Sequence, residues 1–336
     1  MNSPTISSQV RSNPAPWKFR SHDLVSTRDL TPGEVRLILE LASLMKARPD
    51  DFRGALSGKQ LVMFFEKPSL RTRLTFEAGM ASLGGVSFFV DQTGSRLGER
   101  EKLSDIAHNV ERWINVIVVR TFAHETVEKM AEYASVPVVN ALSELEHPCQ
   151  ALADYFTFQE RFGSVKNRKL AYVGDGNNVS NSLLLTCAAL GSSIRIATPI
   201  GYEPDPKIVS SARQIAEQTG ADITLLTDPK EAVSGADAVY TDAWVSMGDE
   251  AETETRNKVF VPYQVNEELM SYASPDALFM HCLPAHRGEE VTDAVIDSPQ
   301  SVVFDQAENR MHVQKAILFL LLDGDRRRFP VRSAHA

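Results

Sequence analysis

Short apolar runs alternate with longer helical patterns along most of this chain, and this alternation constrains the fold more than any other feature. Strands that are separated by helices form parallel sheets with both faces covered. The predicted strands are Gln60–Phe65, Val86–Val90, Val116–Val119, Val136–Val139, Leu170–Val173, Ile194–Ala197, Ile223–Leu226, Ala238–Thr241, Leu278–His281 and Val302–Phe304. The predicted helices are Thr31–Met45, Thr72–Leu83, Gln150–Phe162, Val179–Leu190, Pro206–Gln218 and Glu308–Leu322. The sequence therefore predicts an α/β protein with doubly wound parallel sheets.

The length of the chain indicates two domains, because 336 residues exceed what one typical core accommodates. We expect one sheet domain over residues 21–150 and a second over residues 151–310, with the active-site cleft between them. The last helix is almost continuously apolar near its end, so it should be buried. We therefore expect residues 311–336 to form a helix that returns to the first domain, followed by a tail.

Residues 1–20 are expected to form a flexible extension. They contain no acidic residue but carry Arg11, Lys18 and Arg20, which gives them a weak similarity to a transit peptide. A short disordered terminus is the preferred interpretation, because Pro14 and Pro16 oppose regular structure.

The composition excludes several classes of partner. A net charge of −9 opposes a nucleic-acid surface, and no apolar run approaches the length of a membrane span. The three cysteines, Cys149, Cys187 and Cys282, are odd in number and widely spaced. They predict free thiols in a reducing compartment, and we expect the protein to be cytoplasmic.

Five polar side chains directly follow predicted strands: Ser69, Arg120, Asp175, Asp242 and Cys282. In open parallel sheets, ligands bind beyond the carboxyl ends of the strands. The sequence therefore predicts that these side chains face one cleft.

The segment Ser69–Arg73 carries two hydroxyls and two guanidiniums where a strand ends and a helix begins. A helix N-terminus favours a phosphate, and an arginine fork matches phosphate oxygens in pairs. A simple helix cap with solvated arginines is the alternative. Arg120 after a strand and Arg310, which we expect to open a helix, favour the phosphate site.

The segment Gly174–Asn178 also lies between a strand and a helix, which suggests a dinucleotide site. Val179 occupies the place of the third glycine, and no acidic residue ends the following strand, Ile194–Ala197. An NAD-linked dehydrogenase is therefore a disfavoured alternative. No cofactor and no metal site are predicted, because histidine and cysteine do not occur at metal-ligand spacing.

Taken together, five segments resemble, in order, the motifs of ornithine carbamoyltransferases in the aspartate/ornithine carbamoyltransferase superfamily. They are Glu66-Lys67-Pro68-Ser69-Leu70-Arg71-Thr72-Arg73, His147-Pro148-Cys149-Gln150, Gly174-Asp175-Gly176-Asn177-Asn178, Asp242-Ala243-Trp244-Val245-Ser246-Met247-Gly248 and His281-Cys282-Leu283-Pro284. The resemblance extends from about Asp23 to the C-terminal helix. Leu70 stands where threonine is commoner, and leucine also occurs there in relatives that use acylated ornithine.

The resemblance implies transfer of the carbamoyl group of carbamoyl phosphate to the δ-amine of L-ornithine, giving L-citrulline and phosphate. It implies a first domain that binds carbamoyl phosphate, and a carbamoyl phosphate site formed by Ser69, Leu70, Arg71, Thr72, Arg96, Arg120, His147, Gln150, Cys282, Leu283 and Arg310. The second domain would bind ornithine through Asn178, Asp242, Ser246 and Met247. The implied catalytic residues are Arg120, His147 and Cys282, and a cis bond is implied before Pro284.

Several alternatives stay open at this point. N-acetylornithine, N-succinylornithine or putrescine are alternative amines, although the Ser246–Gly248 segment favours ornithine. A catalytically silent binding subunit is a further alternative, and the sequence leaves the biosynthetic or catabolic direction in arginine metabolism and the urea cycle open. The resemblance also implies a homotrimer, or a multiple of it, in which the loop Gly94–Gly98 with Arg96 reaches a neighbouring site.

Overall fold

The computed structural model describes residues 19–245 and 250–322, and within them all strands of the two sheets run parallel. The first sheet has the order β2-β1-β3-β4 and consists of β1 (Gln60–Phe65), β2 (Val86–Asp91), β3 (Val116–Arg120) and β4 (Val138–Leu142). Its helices are α1 (Pro32–Ala47), α2 (Leu70–Ser82), α3 (Leu103–Val110) and α4 (His124–Tyr133). The helix α5 (Pro148–Phe162) leads to the second sheet.

The second sheet has the order β7-β6-β5-β8-β9. Its strands are β5 (Lys169–Val173), β6 (Ser193–Ala197), β7 (Asp222–Leu226), β8 (Ala238–Thr241) and β9 (Leu278–His281). The helices that follow are α6 (Asn178–Leu190), α7 (Pro206–Thr219), α8 (Pro229–Val233), α9 (Thr253–Phe260), α10 (Glu267–Met270), α11 (Asp293–Ile296) and α12 (Val303–Leu321). The predicted fold class, two doubly wound parallel-sheet domains, is confirmed.

The strand order reverses once in each sheet, between β1 and β3 in the first and between β5 and β8 in the second. Such switch points leave a crevice beyond the strand ends, because successive connections depart to opposite sides. At the first switch point, Ser69 follows β1 and Arg120 is the last residue of β3. At the second, Asp175 follows β5 and Asp242 follows β8. The topology therefore places the predicted cleft residues at two crevices.

The helix α12 packs against α1, α2 and α5, which confirms that the C-terminal helix returns to the first domain. Its apolar end is buried, as the sequence predicts: Ile317 and Leu318 are inaccessible to solvent. Cys149 and Cys187 are likewise buried, and all three cysteines are free thiols.

Two sequence predictions near the strand and helix boundaries are wrong. Val302–Phe304 is not a strand, because α12 begins at Val303 and only Ser301 forms a single bridge with Phe279. A short apolar run does not distinguish a strand from the start of a buried helix. Arg310 consequently lies in the middle of α12 and does not open a helix.

The strand β4 begins at Val138, two residues later than predicted, and continues to Leu142. Pro137 explains the late start, since proline has no N–H for the strand ladder. No helix within residues 19–245 and 250–322 is long and apolar enough to cross a membrane.

Candidate active site

A cavity of about 370 Å³ lies where the two crevices meet. Its walls include most of the predicted site residues: Ser69, Leu70, Arg71, Arg120, His147, Gln150, Asn178, Asp242, Cys282, Leu283 and Arg310. Loops after β1 and β3, the start of α5 and the middle of α12 form one wall. Loops after β8 and β9 and the start of α6 form the other.

The N-terminus of α2 closes one end of the cavity. Ser69 is the N-cap, and its Oγ accepts a hydrogen bond of 3.3 Å from the Thr72 amide. The same hydroxyl donates to Thr72 Oγ1 over 2.8 Å. The helix cap, which the sequence analysis gives as the alternative to a phosphate site, is therefore itself part of the cavity wall. The first turn of α2 faces the cavity.

Arg73 turns away from the cavity although it lies beside Arg71. Its guanidinium pairs with Glu77 at 2.9 Å and stacks on the Phe89 ring at 3.9 Å from the centroid. Of the two guanidiniums in this segment, only Arg71 lines the cavity.

Three guanidiniums converge on this wall, those of Arg71, Arg120 and Arg310. Burial, together with the neighbouring charges of Arg310 and Arg71, lowers the pKa of Arg120 to about 9. Burial also lowers the pKa of Arg310. Because like charges this close repel one another, an anion that enters the cavity relieves an existing electrostatic cost. The wall is suited to a multiply charged anion such as a phosphate.

His147 is a neutral hydrogen-bond donor in this arrangement. Burial, Arg310 and Arg120 hold its pKa well below the usual 6.5. Its Nε2 lies 3.2 Å from a guanidinium nitrogen of Arg310, which can only donate, so the ring proton is on Nδ1. That Nδ1 is buried and has no hydrogen-bond partner among the described residues. The ring therefore carries an unused N–H at the cavity wall.

Gln150 supplies a hydrogen-bond acceptor, whereas His147 supplies a donor. Its Nε2 donates to Asp154 Oδ1 over 2.8 Å, while its Oε1 is buried and unpaired within the described part of the chain. An amide oxygen in this state accepts a hydrogen bond from any N–H placed beside it. His147 and Gln150 thus offer one donor and one acceptor, one helical turn apart at the start of α5.

Asp242 and Cys282 form the opposite wall. Cys282 Sγ donates to Asp242 Oδ1 over 3.0 Å, and the other carboxylate oxygen accepts from Asn177 Nδ2 over 2.8 Å. Burial and the Asp242 charge raise the pKa of Cys282 well above its usual 9.0. The sulfur is therefore a neutral thiol at physiological pH and not an activated nucleophile.

Asn178 begins α6 directly after its N-cap, Asn177. The Asn178 side chain lines the cavity and donates to the carbonyl oxygen of Ser143 over 2.6 Å. The positive end of α6 is therefore part of the second wall, and it favours a carboxylate in the cavity beside it.

The loop after β9 is held by a buried histidine and a buried glutamate. His281 Nε2 lies 3.2 Å from Glu290 Oε1, and His281 Nδ1 accepts from the Leu283 amide over 2.9 Å. The Leu283–Pro284 bond is cis, as the resemblance implies. Asp242, His281 and Cys282 come close enough to share an ion. Both ring nitrogens of His281 are already engaged, however, so we interpret the three as a hydrogen-bonded group.

Some predicted residues do not line this cavity. Thr72 Oγ1 accepts a short hydrogen bond from Arg310 instead of reaching the cavity surface. Arg96 lines a second, separate cavity, where its guanidinium lies 4.8 Å from the centroid of the Phe122 ring. Ser246 and Met247 lie outside the described residues.

The sequence analysis assigned no site role to eight residues that line the cavity: Lys67, Pro68, Leu142, Val179, Ala243, Val245, Pro284 and His286. It also missed two residues that support the cavity, Asp154 and Asn177. Lys67 and Pro284 lie within the recognised segments, and their position there was the available signal. Asp154 follows Gln150 by four residues, a spacing that puts both on one face of a helix.

The comparison with known proteins agrees with this geometry. The family profile described as "Aspartate/ornithine carbamoyltransferase, carbamoyl-P binding domain" matches residues 22–160, and the "Asp/Orn binding domain" profile of the same family matches residues 166–321. An ornithine carbamoyltransferase of Pyrococcus abyssi is 50% identical over 311 residues, covering 91% of this chain and 97% of the relative.

Solved structures give the same answer. The structure of ornithine carbamoyltransferase from Pyrococcus furiosus has a TM-score of 0.87 at 50% identity, covering 90% of this chain and 97% of that one. A mitochondrial ornithine carbamoyltransferase from Coccidioides immitis has a TM-score of 0.82 at 35% identity, with 90% and 98% covered. The chain therefore belongs to the aspartate/ornithine carbamoyltransferase family.

Proposed function

We propose that this chain is an ornithine carbamoyltransferase, which transfers the carbamoyl group of carbamoyl phosphate to the δ-amine of L-ornithine and releases L-citrulline and phosphate. One observation carries the proposal. Three guanidiniums and a helix N-terminus face a carboxylate–thiol pair across a single cavity of about 370 Å³. The cavity thus provides an anion site next to a site for an amine.

The first wall is suited to carbamoyl phosphate. Ser69, Arg71 and Arg310 would hold the phosphate oxygens, because hydroxyls, a helix N-terminus and guanidiniums all favour a dianion. The unused N–H of His147 would donate to the carbonyl oxygen, and the unused Oε1 of Gln150 would accept from the amide nitrogen.

The second wall is suited to the amino acid. Asn178 at the start of α6 would hold the α-carboxylate, and Asp242 would pair with an ammonium group. The Cys282 thiol would lie near the δ-amine. Ser246 and Met247, implied by the resemblance, would complete this wall.

The reaction is a direct attack of the neutral δ-amine on the carbonyl carbon. Negative charge that grows on the carbonyl oxygen is met by Arg120 and His147, an oxyanion-type arrangement that needs no rearrangement during the reaction. The bond between the carbonyl carbon and the phosphate oxygen breaks, and the phosphate leaves toward Ser69, Arg71 and Arg310, taking up the proton that the attacking amine releases. Much of the acceleration comes from holding the two substrates in line. Cys282 assists the amine and forms no bond to the substrate, since its thiol is neutral.

The proposal is tested by offering four amines in competition with carbamoyl phosphate: L-ornithine, N-acetylornithine, N-succinylornithine and putrescine. We expect citrulline as the main product. Leu70 lines the cavity, so a preference for an acylated amine would identify it as a determinant of specificity and refute ornithine as the substrate. Absence of any carbamoylated product would refute the reaction itself.

We also propose that the chain acts as a homotrimer, or a multiple of it, in the cytoplasm. The strand β2 lies at the edge of the first sheet, and the side chains of Leu74, Val86, Phe88 and Trp113 in this domain are about half exposed or more. Covering such side chains with a second copy would be favourable.

The loop Gly94–Gly98 supports a site shared between copies, because Arg96 lies outside the cavity of its own chain. Mixing inactive Arg71→Ala chains with inactive Arg96→Ala chains should restore part of the activity, since some sites would receive both intact residues. A fully active monomer in ultracentrifugation would refute the shared site.

A further inference from the structure

Asp154 lies next to the carbamoyl side of the cavity without lining it. It follows Gln150 by four residues on α5, so the two side chains share one face of the helix. Asp154 is completely buried, although a buried carboxylate is costly unless it is well supplied with hydrogen bonds.

Three donors from three elements surround this carboxylate. Oδ1 accepts from Gln150 Nε2 over 2.8 Å and from Gln306 Nε2 on α12 over 2.9 Å. Oδ2 accepts from the hydroxyl of Tyr240 on β8 over 3.0 Å. An ionised carboxylate can only accept, so each amide must point its nitrogen toward Asp154.

This arrangement fixes which end of the Gln150 amide faces the substrate. The nitrogen is held by Asp154, and the oxygen is buried and unpaired within the described part of the chain. Without the carboxylate, nothing in this group of side chains would favour one orientation of the amide over the reverse. The reverse orientation would present an N–H donor in place of the acceptor.

The orientation matters for the choice of substrate. Carbamoyl phosphate carries an amide NH₂ where acetyl phosphate carries a methyl group of similar size. An acceptor in the cavity favours the first, since only an NH₂ can donate to it. A site built to hydrogen-bond a group rejects the analogue that lacks it, because the polar atom of the site is then left unpaired.

We propose that Asp154 is a positioning residue that orients the Gln150 amide, and that it thereby makes the cavity select a carbamoyl group over an acyl group of the same shape. The proposal rests on carbamoyl phosphate being the substrate. Asp154 acts only through Gln150 and does not touch the reacting atoms.

The test compares the affinities of carbamoyl phosphate and acetyl phosphate by calorimetry. Both ligands carry the same phosphate, so changes in the guanidinium wall, including any change in the field at Arg310, cancel in the ratio of the two dissociation constants. For the wild-type protein we expect a preference of about tenfold to 100-fold for carbamoyl phosphate, the range for one buried hydrogen bond made or lost.

Asp154→Ala should remove most of this preference by weakening carbamoyl phosphate alone. Asp154→Ser, which keeps a polar group too short to reach the amide, replaces it if the alanine variant does not fold. Two controls should keep the preference. Asp154→Asn retains an oxygen that can accept from Gln150. Tyr240→Phe removes one donor to Asp154 but leaves the hydrogen bond from the Gln150 amide to Asp154 in place.

Equal weakening of both ligands in Asp154→Ala or Asp154→Ser would overturn the proposal, since it would mean that Asp154 only supports the fold. An unchanged preference in either variant, or no preference in the wild-type protein, would also overturn it. These binding measurements do not depend on turnover. A wild-type protein that binds carbamoyl phosphate but produces no citrulline would therefore refute the proposed function and leave this inference standing.

Discussion

Replacing Arg256 with glutamine removes a buried ion pair next to the proposed ornithine wall. Arg256 Nη1 lies 2.9 Å from Asp175 Oδ2, and the two side chains are only 11% and 10% exposed. The same nitrogen donates to the carbonyl oxygen of Trp244 over 2.9 Å. Arg256 belongs to α9, which follows residues 246–249, whereas Trp244 precedes them. The Arg256 guanidinium, which follows residues 246–249, therefore contacts both Trp244, which precedes them, and Asp175 in the turn after β5.

The size of the effect follows from burial. Removing one partner of a buried ion pair costs about 3–5 kcal/mol, because the remaining charge stays in a poorly solvated place without that partner. Arg256 also pairs with Glu252, whose side chain is largely exposed, and that pair contributes little. We therefore expect the free energy of unfolding to fall by about 3–5 kcal/mol in Arg256→Gln.

Arg287→Gln is the matched control. Arg287 makes three contacts of 2.6–2.8 Å with Asp293 and Asp297. All three of these side chains are well exposed, so solvent screens the attraction and we expect no measurable loss of stability.

The assay is urea unfolding of the wild type and both variants, followed by steady-state kinetics for each substrate. Arg256→Gln should also raise KM for ornithine more than it weakens carbamoyl phosphate, since Trp244 and Asp175 flank the second wall. Equal losses of stability in the two variants would refute the argument from burial. Equal weakening of both substrates would refute the positional argument.

Four further results are expected. Arg71→Ala should weaken carbamoyl phosphate by about 1.5–3 kcal/mol for each charged hydrogen bond lost, while the fold survives, and unchanged affinity in calorimetry would exclude Arg71 from the anion site. Asp242→Asn should weaken ornithine far more than carbamoyl phosphate, because only the amino acid carries an ammonium group; equal losses would mark Asp242 as a structural residue. Cys282→Ala should lower kcat without abolishing it, and a folded but inactive variant would instead indicate covalent chemistry. Glu146→Gln should flatten the pH dependence of stability. Burial raises the pKa of Glu146 to about 7, so between about pH 4.5 and pH 7 the folded state holds a proton that the unfolded state has released. The free energy of unfolding of the wild type therefore falls by about 3 kcal/mol as the pH rises from about 4.5 to about 7. Urea unfolding at pH 5 and pH 8 measures this difference, and identical pH slopes for the two proteins would contradict it.

Much of the fold could be predicted from the sequence, because strand and helix periods differ and the buried strands are short apolar runs. Ala238–Thr241 and Leu278–His281 are strands with the predicted bounds. The prediction failed at Val302–Phe304, where the apolar run is too short to show a period and the decisive interaction is tertiary. The same failure misplaced the start of the helix that carries Arg310.

The candidate site could be predicted as a set of residues but not as a set of contacts. Strand ends placed Ser69, Arg120 and Asp242 at one cavity, since topology fixes where strands end. The Gln306–Asp154 hydrogen bond joins residues 152 positions apart, and no local pattern encodes such a pair. That Asp154 holds the nitrogen of the Gln150 amide and leaves its oxygen unpaired within the described residues became visible only in the structure.

The position of α12 has a consequence for biosynthesis of the chain. The helices α1 and α2 belong to the first domain, yet part of their apolar surface is covered by residues 303–321, which are translated after all the strands of both sheets. Domains generally fold as units during synthesis, N-terminal first, and exposed apolar surface makes incomplete units prone to aggregation. The first domain therefore cannot complete its core on the ribosome before residues 303–321 have been translated. A fragment that ends before residue 303 should be insoluble, and adding a separate peptide of residues 303–321 should rescue it.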